Sequence, residues 1–285
     1  MRMSDQPYFP ESKDELARLE NKTDQFLVID QARWAGLSPG MRVLDVGCGP
    51  GITTSALADA AAPGGQVVGI DRSNERIAYA KANYRTPNVE FVQRNFFDDL
   101  SDLGEFDFVW MRFILEYFLK EAFQLTRHIA QSVKPGGILC LADLDRNGLN
   151  HYGLSERLER NIQKGTEGLM QNANFDPFAG AKLPGHLFEL GFIDIRADVR
   201  AHHLICGDLS ERDRLNFWQK LEFGGRCSGW TFEDYEDGFA GFEKEFKRYF
   251  SDKRRFFYTP LIISRGVKPN FDANAGTRFF LEDVN

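Results

Sequence analysis

An apolar run that ends in a glycine-rich turn constrains the fold of this chain more than any other feature. The sequence is VLDV at residues 43–46 and GCGPG at 47–51, and a second apolar run, 66–70, ends at Asp71. A strand that leads through such a turn into a helix brings backbone N–H groups against a ligand. A carboxylate at the end of the second strand can accept hydrogen bonds from two ribose hydroxyls. The two runs together predict a βαβ unit with a nucleoside site.

The spacing of the glycines distinguishes between cofactors. Gly47, Gly49 and Gly51 form G-x-G-x-G, whereas dinucleotide folds use G-x-G-x-x-G, so a pyrophosphate is a poor fit. The carboxylate of Asp45 would repel a diphosphate but attract the ammonium of an amino-acid moiety. S-adenosylmethionine carries such an ammonium, so we interpret the turn as an S-adenosylmethionine site.

The run LDVGCGPG at residues 44–51 resembles the first motif of the class I, seven-strand S-adenosylmethionine-dependent methyltransferases. Residues 37–42 and 133–137 are similar to its flanks in the small-molecule branch, which includes the ubiquinone and menaquinone methyltransferase-like group. This resemblance covers roughly residues 35–145 of the chain. It implies the fold and the cofactor more firmly than it implies a substrate.

The resemblance also implies roles for residues at the ends of the strands. Asp45 would bind the methionine ammonium, Asp71 the ribose, and Asn95 the adenine amino group, where the family usually has an acidic residue. Arg112 would lie near the cofactor carboxylate or a substrate acid, and a surface salt bridge is the alternative. The expected cofactor contacts are Asp45, Gly47, Cys48, Gly49, Gly51, Asp71, Arg72, Asn95, Phe96, Met111 and Arg112.

Apolar runs and helical patterns alternate along the first half of the chain. This alternation predicts an α/β fold with a doubly wound, mostly parallel sheet, which the resemblance extends to seven strands. We expect a helical lid at 1–36, a cofactor-binding core at 37–145 and the rest of the sheet at 146–285. Helical insertions that cover the substrate are expected at about 146–185 and 208–252, the second before the last strand. Strands are predicted at 42–46, 66–71, 89–94, 106–111, 138–143, 192–205 and 256–264, and helices at 52–61, 73–84, 120–133, 155–171 and 185–190.

Methyl transfer from a sulfonium needs alignment and exclusion of water more than a catalytic nucleophile. A general base is required only when the acceptor must lose a proton of high pKa. Asp143 and His151 are the candidates for it, with Asp145 and Tyr152 as alternatives, and a loop-capping or structural role remains open for each. Candidate substrate contacts are Tyr8, Phe9, Tyr117 and Tyr152.

Composition limits the partners. The net charge is −7 and the longest basic run is 253–255, which disfavours a nucleic-acid substrate. No membrane span or signal peptide is evident, so a cytoplasmic location is expected. The cysteines are scattered without metal-site spacing, and no metal is expected.

The favoured function is methylation of a small molecule, which could be aromatic, quinone-like or another natural product. The 26 phenylalanines suit an aromatic-lined cavity, although an ordinary core is the simpler explanation. The alternatives are a non-catalytic regulatory module that binds S-adenosylmethionine, an aminopropyl transferase and a nicotinamide-dependent oxidoreductase. The glycine spacing argues against the last of these.

Overall fold

One sheet of eight strands runs through residues 23–270, the part of the chain that the computed structural model describes. The strands are β1 (Arg42–Val46), β2 (Gln66–Asp71), β3 (Val89–Gln93), β4 (Phe106–Arg112), β5 (Val133–Leu144), β6 (His151–Tyr152), β7 (Ile193–Cys206) and β8 (Phe256–Val267). Their order is β3-β2-β1-β4-β5-β8, and β6 and β7 each pair with β8.

Strands β1 to β5 pair in parallel, and β8 runs antiparallel to β5 and β7. Parallel pairing brings the carboxyl ends of β1, β2 and β4 to one edge of the sheet, where ligands bind in such folds. The prediction of a doubly wound, mostly parallel sheet is confirmed. The two-residue strand β6 is an additional strand that the sequence pattern did not predict.

Helices cover both faces of this sheet. Val28 and Leu57 belong to helices that pack on one face, and Leu125 and Leu187 belong to helices that pack on the other. All four side chains are fully buried, as expected for the apolar faces of amphipathic helices. The helices are α1 (Gln25–Ala35), α2 (Ile52–Ala61), α3 (Asn74–Asn83), α4 (Ala122–Ile129), α5 (Glu156–Asn172), α6 (Ala179–Glu189), α7 (Glu211–Ser228) and α8 (Phe239–Phe250).

Helices α5, α7 and α8 form a cap with its own aromatic core. The rings of Phe246 and Phe250 stack at 5.4 Å between centroids, and Phe217 packs against Phe250 at 4.5 Å. Phe257 joins this core from β8. Two of these helices, α7 and α8, form the predicted helical insertion before the last strand. Many of the phenylalanines therefore stabilise the cap itself.

Two element boundaries differ from the sequence prediction by five residues or more. Helix α6 begins at Ala179 and contains Pro184, whereas the pattern predicts a helix only from residue 185. Strand β5 begins at Val133 instead of residue 138, because Val133 pairs with Phe106 before an irregularity in the register. Proline and glycine in these segments lower the local helix and strand propensity, which tertiary contacts override.

The predicted lid falls largely on residues 1–22, which lie outside the described residues together with the candidate contacts Tyr8 and Phe9. The remainder of that segment contains α1, which packs beside α2 on the sheet through Val28, Ala32 and Ala35. Closure of the cleft by residues 1–22 stays a prediction. Within residues 23–270 no helix is long and apolar enough to cross a membrane.

Candidate active site

The glycine turn between β1 and α2 is held by the neighbouring strand. The backbone N–H groups of Gly47 and Cys48 both donate to the carbonyl oxygen of Ile70, at 2.8 and 2.9 Å. Gly49 has a φ of +55°, and a Cβ atom added there would meet no atom within 4 Å among the described residues. The turn therefore leaves open space beside Gly49, as a loop that receives a ligand requires.

Asp71 ends β2 directly beside this turn. Its Oδ2 accepts a hydrogen bond from the Gly49 N–H at 3.0 Å, and its Oδ1 accepts one from the Ser73 N–H at 2.9 Å. The Arg76 guanidinium lies 4.0 Å from Oδ2. Burial raises the pKa of Asp71, and the nearby Arg76 opposes that rise. The structure thus joins Asp71 to the glycine turn, as the two sequence runs suggest.

Asp45 is 2% exposed at the end of β1. Its Oδ2 accepts a hydrogen bond from the hydroxyl of Thr54 in α2 at 2.7 Å. Burial raises the pKa of Asp45 to about 7, against the lowering effects of the Thr54 hydrogen bond and of Arg112. The carboxyl is therefore near its titration point at neutral pH, and a bound cation would favour its ionised form.

Arg112 ends β4 between two of the buried acids. Its charge interacts with Asp45 on one side and with Asp143 on the other, while burial lowers the pKa of the guanidinium. The Cζ atom lies 4.2 Å from the ring centroid of Phe113. The Nε atom is buried and has no hydrogen-bond partner among the described residues. Arg112 is therefore a half-buried cation whose buried Nε is available as a donor to an anionic ligand group.

Asn95 and Phe96, which follow β3, lie in different environments. Asn95 is half-buried, and its Oδ1 accepts a hydrogen bond from the Phe97 N–H at 3.1 Å, which closes a turn. The Phe96 ring is 2% exposed and packs edge-on against Phe118 at 5.9 Å. That ring belongs to the core beneath the site, so it is not available to cover an adenine. Its backbone N–H and the half-buried ring of Phe97 remain as contacts for a base.

Three further predicted cofactor residues lie around this edge. Cys48 is 4% exposed and packs with Ile77 and Phe91, which agrees with a space-filling role in the turn. Met111 is 1% exposed within the sheet core. Arg72 is half-buried and directly follows Asp71.

Asp143, the candidate base at the end of β5, is 1% exposed. Its Oδ2 accepts a hydrogen bond from the backbone N–H of Glu116 at 3.2 Å. Burial and the charge of Glu116 raise the pKa of Asp143 well above its ordinary value. The amide of Asn147 donates to Oε2 of Glu116 at 2.8 Å. The two carboxyls thus form a buried pair, in which like-charge repulsion favours retention of one proton.

A cavity of about 240 Å³ lies between this carboxyl pair and the cap. Glu116 and Tyr117 line it from the segment after β4, and Leu144, Asn147 and His151 line it from the segment after β5. The remaining wall comes mostly from the cap helices and is rich in phenylalanine. These wall residues include Asn161, Ile162, Thr166, Leu169, Phe175, Phe217, Lys220, Leu221, Phe223, Cys227, Phe232, Phe242 and Phe246.

His151 lines the cavity as an uncharged base. Its Nε2 lies 3.0 Å from the carbonyl oxygen of Gly148, so this nitrogen carries the proton and donates it. Burial among aromatic rings, including Phe257 at 4.5 Å, lowers the pKa of His151 to about 4. Nδ1 lies 3.4 Å from the hydroxyl of Tyr249. The imidazole is neutral at physiological pH.

Of the other candidate substrate contacts and bases, Tyr117 lines the cavity, whereas Tyr152 and Asp145 are not among its lining residues. Tyr117 lines the cavity and packs against Phe175 at 6.2 Å between centroids. Tyr152 does not line the cavity, because its side chain is 72% exposed on the edge strand β6, so its prediction as a substrate contact is wrong. Asp145 accepts a hydrogen bond from the N–H of Ala181 in the first turn of α6, which is a capping role.

Sequence reasoning missed Glu116, Asn147 and Thr54. Glu116 is the acidic residue in the segment that follows β4, and Thr54 lies in the first turn after the glycines, so position alone could have indicated both. Asn147 is brought to Glu116 only by the course of the loop after β5, and no local pattern indicates this contact.

The strand order, the glycine turn after β1 and the carboxylate at the end of β2 define a class I S-adenosylmethionine-dependent methyltransferase domain. Residues 43–137 match the family model described as a methyltransferase domain. The cofactor of this class is S-adenosylmethionine. The site fits that cofactor, because Gly49 borders open space and the buried donor of Arg112 has no partner among the described residues.

Curated relatives point to the same family. The chain is 33% identical over 141 residues to a ubiquinone biosynthesis O-methyltransferase of Escherichia coli, covering 47% of this chain and 57% of the relative. It is 37% identical over 111 residues to an uncharacterized methyltransferase of Synechocystis, covering 39% of this chain and 50% of the relative. The chain therefore spans about half the length of these relatives.

Solved structures share the fold at low sequence identity. A phosphoethanolamine N-methyltransferase of Haemonchus contortus superposes with a TM-score of 0.54 at 19% identity, covering 91% of this chain and 58% of that one. The [4+2]-cyclase SpnF superposes with a TM-score of 0.51 at 22% identity, covering 86% of this chain and 81% of that one. A cyclase among these neighbours indicates that the fold alone does not fix the reaction.

Proposed function

We propose that this protein transfers a methyl group from S-adenosylmethionine to a small-molecule acceptor bound in the cavity. The observation that carries the proposal is the position of that cavity. Its walls include the segments that follow β4 and β5, at the same sheet edge as the glycine turn and Asp71. A donor site and an acceptor site at one edge are what a group transfer requires.

For the cofactor, we assign Asp71 to the ribose hydroxyls. The open space beside Gly49 would let the cofactor approach the backbone of the turn closely. Asp45 and Arg112 have opposite charges and interact with each other, which suits the ammonium and the carboxylate of the methionine group. The amide of Asn95 would serve the adenine. Each assignment rests on the charge and burial of the side chain and on its place at the sheet edge.

The bound cofactor supplies an electrophilic methyl group on a sulfonium. The protein supplies alignment and exclusion of water, for which a cavity beneath a helical cap is well suited. His151 is neutral, so it can accept a hydrogen bond from a bound molecule, but a pKa of about 4 makes it a weak general base. Asp143 is not among the residues that line the cavity, and its carboxylate accepts a hydrogen bond from the backbone N–H of Glu116, which suits a positioning role better than that of a base.

The cavity argues against the alternative of a regulatory module that only binds the cofactor. A module of that kind needs no second binding site, whereas this chain places polar groups such as Glu116 and Asn147 in the wall of a substantial cavity. A volume of about 240 Å³ also suits a compact molecule better than a macromolecule.

Calorimetry with S-adenosylmethionine and S-adenosylhomocysteine tests the donor half of the proposal. We expect both to bind, with a nicotinamide dinucleotide as the negative control. Mass spectrometry of a panel of phenols, amines and carboxylic acids incubated with the protein and the cofactor tests the acceptor half. Binding of the dinucleotide in place of the cofactor, or a panel without any methylated product, would contradict the proposal.

A further inference from the structure

Helices α5 and α7 pack against each other, and each contains two glycines in its interior. A glycine in a helix interior lowers stability relative to alanine, so each of the four needs a structural or functional reason. Packing supplies that reason at two positions. A Cβ atom at Gly168 would collide with the backbone oxygen of Ser228, and one at Gly225 would collide with the ring of Phe239. These two glycines therefore allow the close packing of the cap.

Packing does not explain the other two glycines, Gly165 and Gly224. Among the described residues, a Cβ atom at Gly165 would meet no atom within 4 Å, and one at Gly224 would meet only Cδ1 of Leu169, at 3.8 Å. Neither glycine has the left-handed backbone that excludes other residues. Both line the cavity of about 240 Å³. Their missing side chains therefore enlarge the cavity and lower the stability of the two helices.

The wall around Gly165 is suited to apolar contact. The hydroxyl of Thr166 donates to the carbonyl oxygen of Ile162 at 2.8 Å, and the amide of Asn161 donates to the carboxylate of Asp234 at 2.7 Å. The polar side chains of α5 that line the cavity are thus hydrogen-bonded within the protein, and the rest of the cap wall is rich in phenylalanine. A group that enters the space beside Gly165 leaves water for apolar contacts, which favours an apolar group.

We propose that Gly165 and Gly224 determine the size of the acceptor, because an apolar group of the acceptor occupies the space that their side chains would fill. This inference deepens the proposed function and rests on it in one respect, which is that the cavity holds the methyl acceptor. An apolar cavity of roughly 150 Å³ accommodates benzene. A volume of about 240 Å³ therefore suits a larger apolar body, about the size of two fused rings. A methyl group added at Gly165 would exclude the second ring.

Phenol and 2-naphthol are the probes for this inference, because they share a hydroxyl group and differ by one ring. Calorimetry on the full chain without cofactor measures both affinities. We expect the wild-type protein to bind 2-naphthol at least about tenfold more tightly than phenol, because the second ring buries more apolar surface. This ranking is measured on the wild-type protein, so it does not depend on the folding of any variant.

Gly165→Ala adds one methyl group to the cavity wall. We expect this variant to bind 2-naphthol at least about tenfold more weakly than the wild-type protein does, with its affinity for phenol within about twofold. Its thermal unfolding temperature should rise by about 2 °C, because alanine favours the helix and the new Cβ meets no described neighbour. Gly224→Ala should show the same selective loss of affinity.

Gly185→Ala is the matched control. Gly185 is exposed on α6 and is not among the residues that line the cavity, and a Cβ atom there would also meet no described atom within 4 Å. We expect this variant to gain stability without any change in its affinity for either probe.

Absence of binding by both probes, or binding of phenol as tightly as 2-naphthol by the wild-type protein, would overturn the inference. Equal losses of affinity for the two probes in Gly165→Ala, or an unchanged affinity for 2-naphthol, would do the same. A fall in the unfolding temperature of this variant would also overturn it, because packing would then require the glycine. The proposed function is tested separately by cofactor calorimetry. A protein with the expected probe affinities that does not bind S-adenosylmethionine would contradict the proposed function and leave the glycine-lined cavity as a binding site.

Discussion

Replacement of Asp71 by asparagine tests the donor site with little change of shape. The carboxylate of Asp71 accepts N–H groups from both Gly49 and Ser73, at 3.0 and 2.9 Å. An asparagine keeps one carbonyl oxygen, so one of these N–H groups would face an amide NH₂ instead. Asp71→Asn therefore changes both the glycine turn and the proposed contact with the ribose.

We expect Asp71→Asn to weaken cofactor binding more than it lowers the free energy of unfolding. A hydrogen bond to a charged group contributes about 1.5–3 kcal/mol. Loss of one of the two proposed ribose bonds should weaken cofactor binding by about 2 kcal/mol, or roughly 30-fold in Kd. The free energy of unfolding should fall by only about 1 kcal/mol, because removal of a buried charge offsets part of the lost hydrogen bond. Burial does raise the pKa of Asp71, which shows that its ionised form is costly in the fold.

Calorimetry with S-adenosylmethionine and S-adenosylhomocysteine measures the affinity, and urea unfolding measures the stability. Asp59→Asn is the matched control, because Asp59 is exposed on α2, the helix that follows the same turn. A folded Asp71→Asn variant whose Kd lies within about twofold of the wild-type value would refute the assignment of Asp71 to the ribose.

Three further predictions concern the same edge of the sheet. Gly47→Ala should cost about 2–4 kcal/mol in urea unfolding, because its Cβ would lie 2.4 Å from Cδ1 of Ile114 at a φ of +73°. Gly49→Ala should lower the free energy of unfolding by only about 1 kcal/mol, because of its left-handed backbone, but it should weaken cofactor binding. Equal losses of stability for the two variants would contradict the turn geometry. The pKa of Asp45 is about 7 in the fold against an ordinary value of 3.8, so the native state binds this proton more tightly than the unfolded chain does. This proton contributes at most about 4 kcal/mol to the free energy of unfolding below pH 4, and the contribution is lost as the pH rises through about 7. Urea unfolding of Asp45→Asn across the same pH range should lack that trend. Arg112→Lys should weaken binding of S-adenosylmethionine about tenfold but should not affect binding of 5′-methylthioadenosine, which lacks the carboxylate. Equal losses of affinity for both ligands in calorimetry would contradict the assignment of Arg112 to the cofactor carboxylate.

The amino-acid sequence by itself determined the βαβ unit and the class of cofactor. The glycine turn at 47–51 and the carboxylate of Asp71 are local signals, because strand periodicity, backbone freedom and short-range hydrogen bonds act over a few residues. The alternation of strands and helices likewise follows from local patterns, and it predicted the sheet and the insertion before β8.

Only the tertiary structure decided the environment of the acids and the location of the cavity. Arg112 interacts with both Asp45 and Asp143 because parallel pairing aligns β1, β4 and β5. His151 is an uncharged base because cap helices bury it, and Tyr152, the next residue, points to solvent. Burial and charge pairing depend on contacts between residues far apart in the chain, which periodicity does not encode. The donor site could therefore be predicted from motifs, whereas the acceptor site depends on how the cap packs over Glu116.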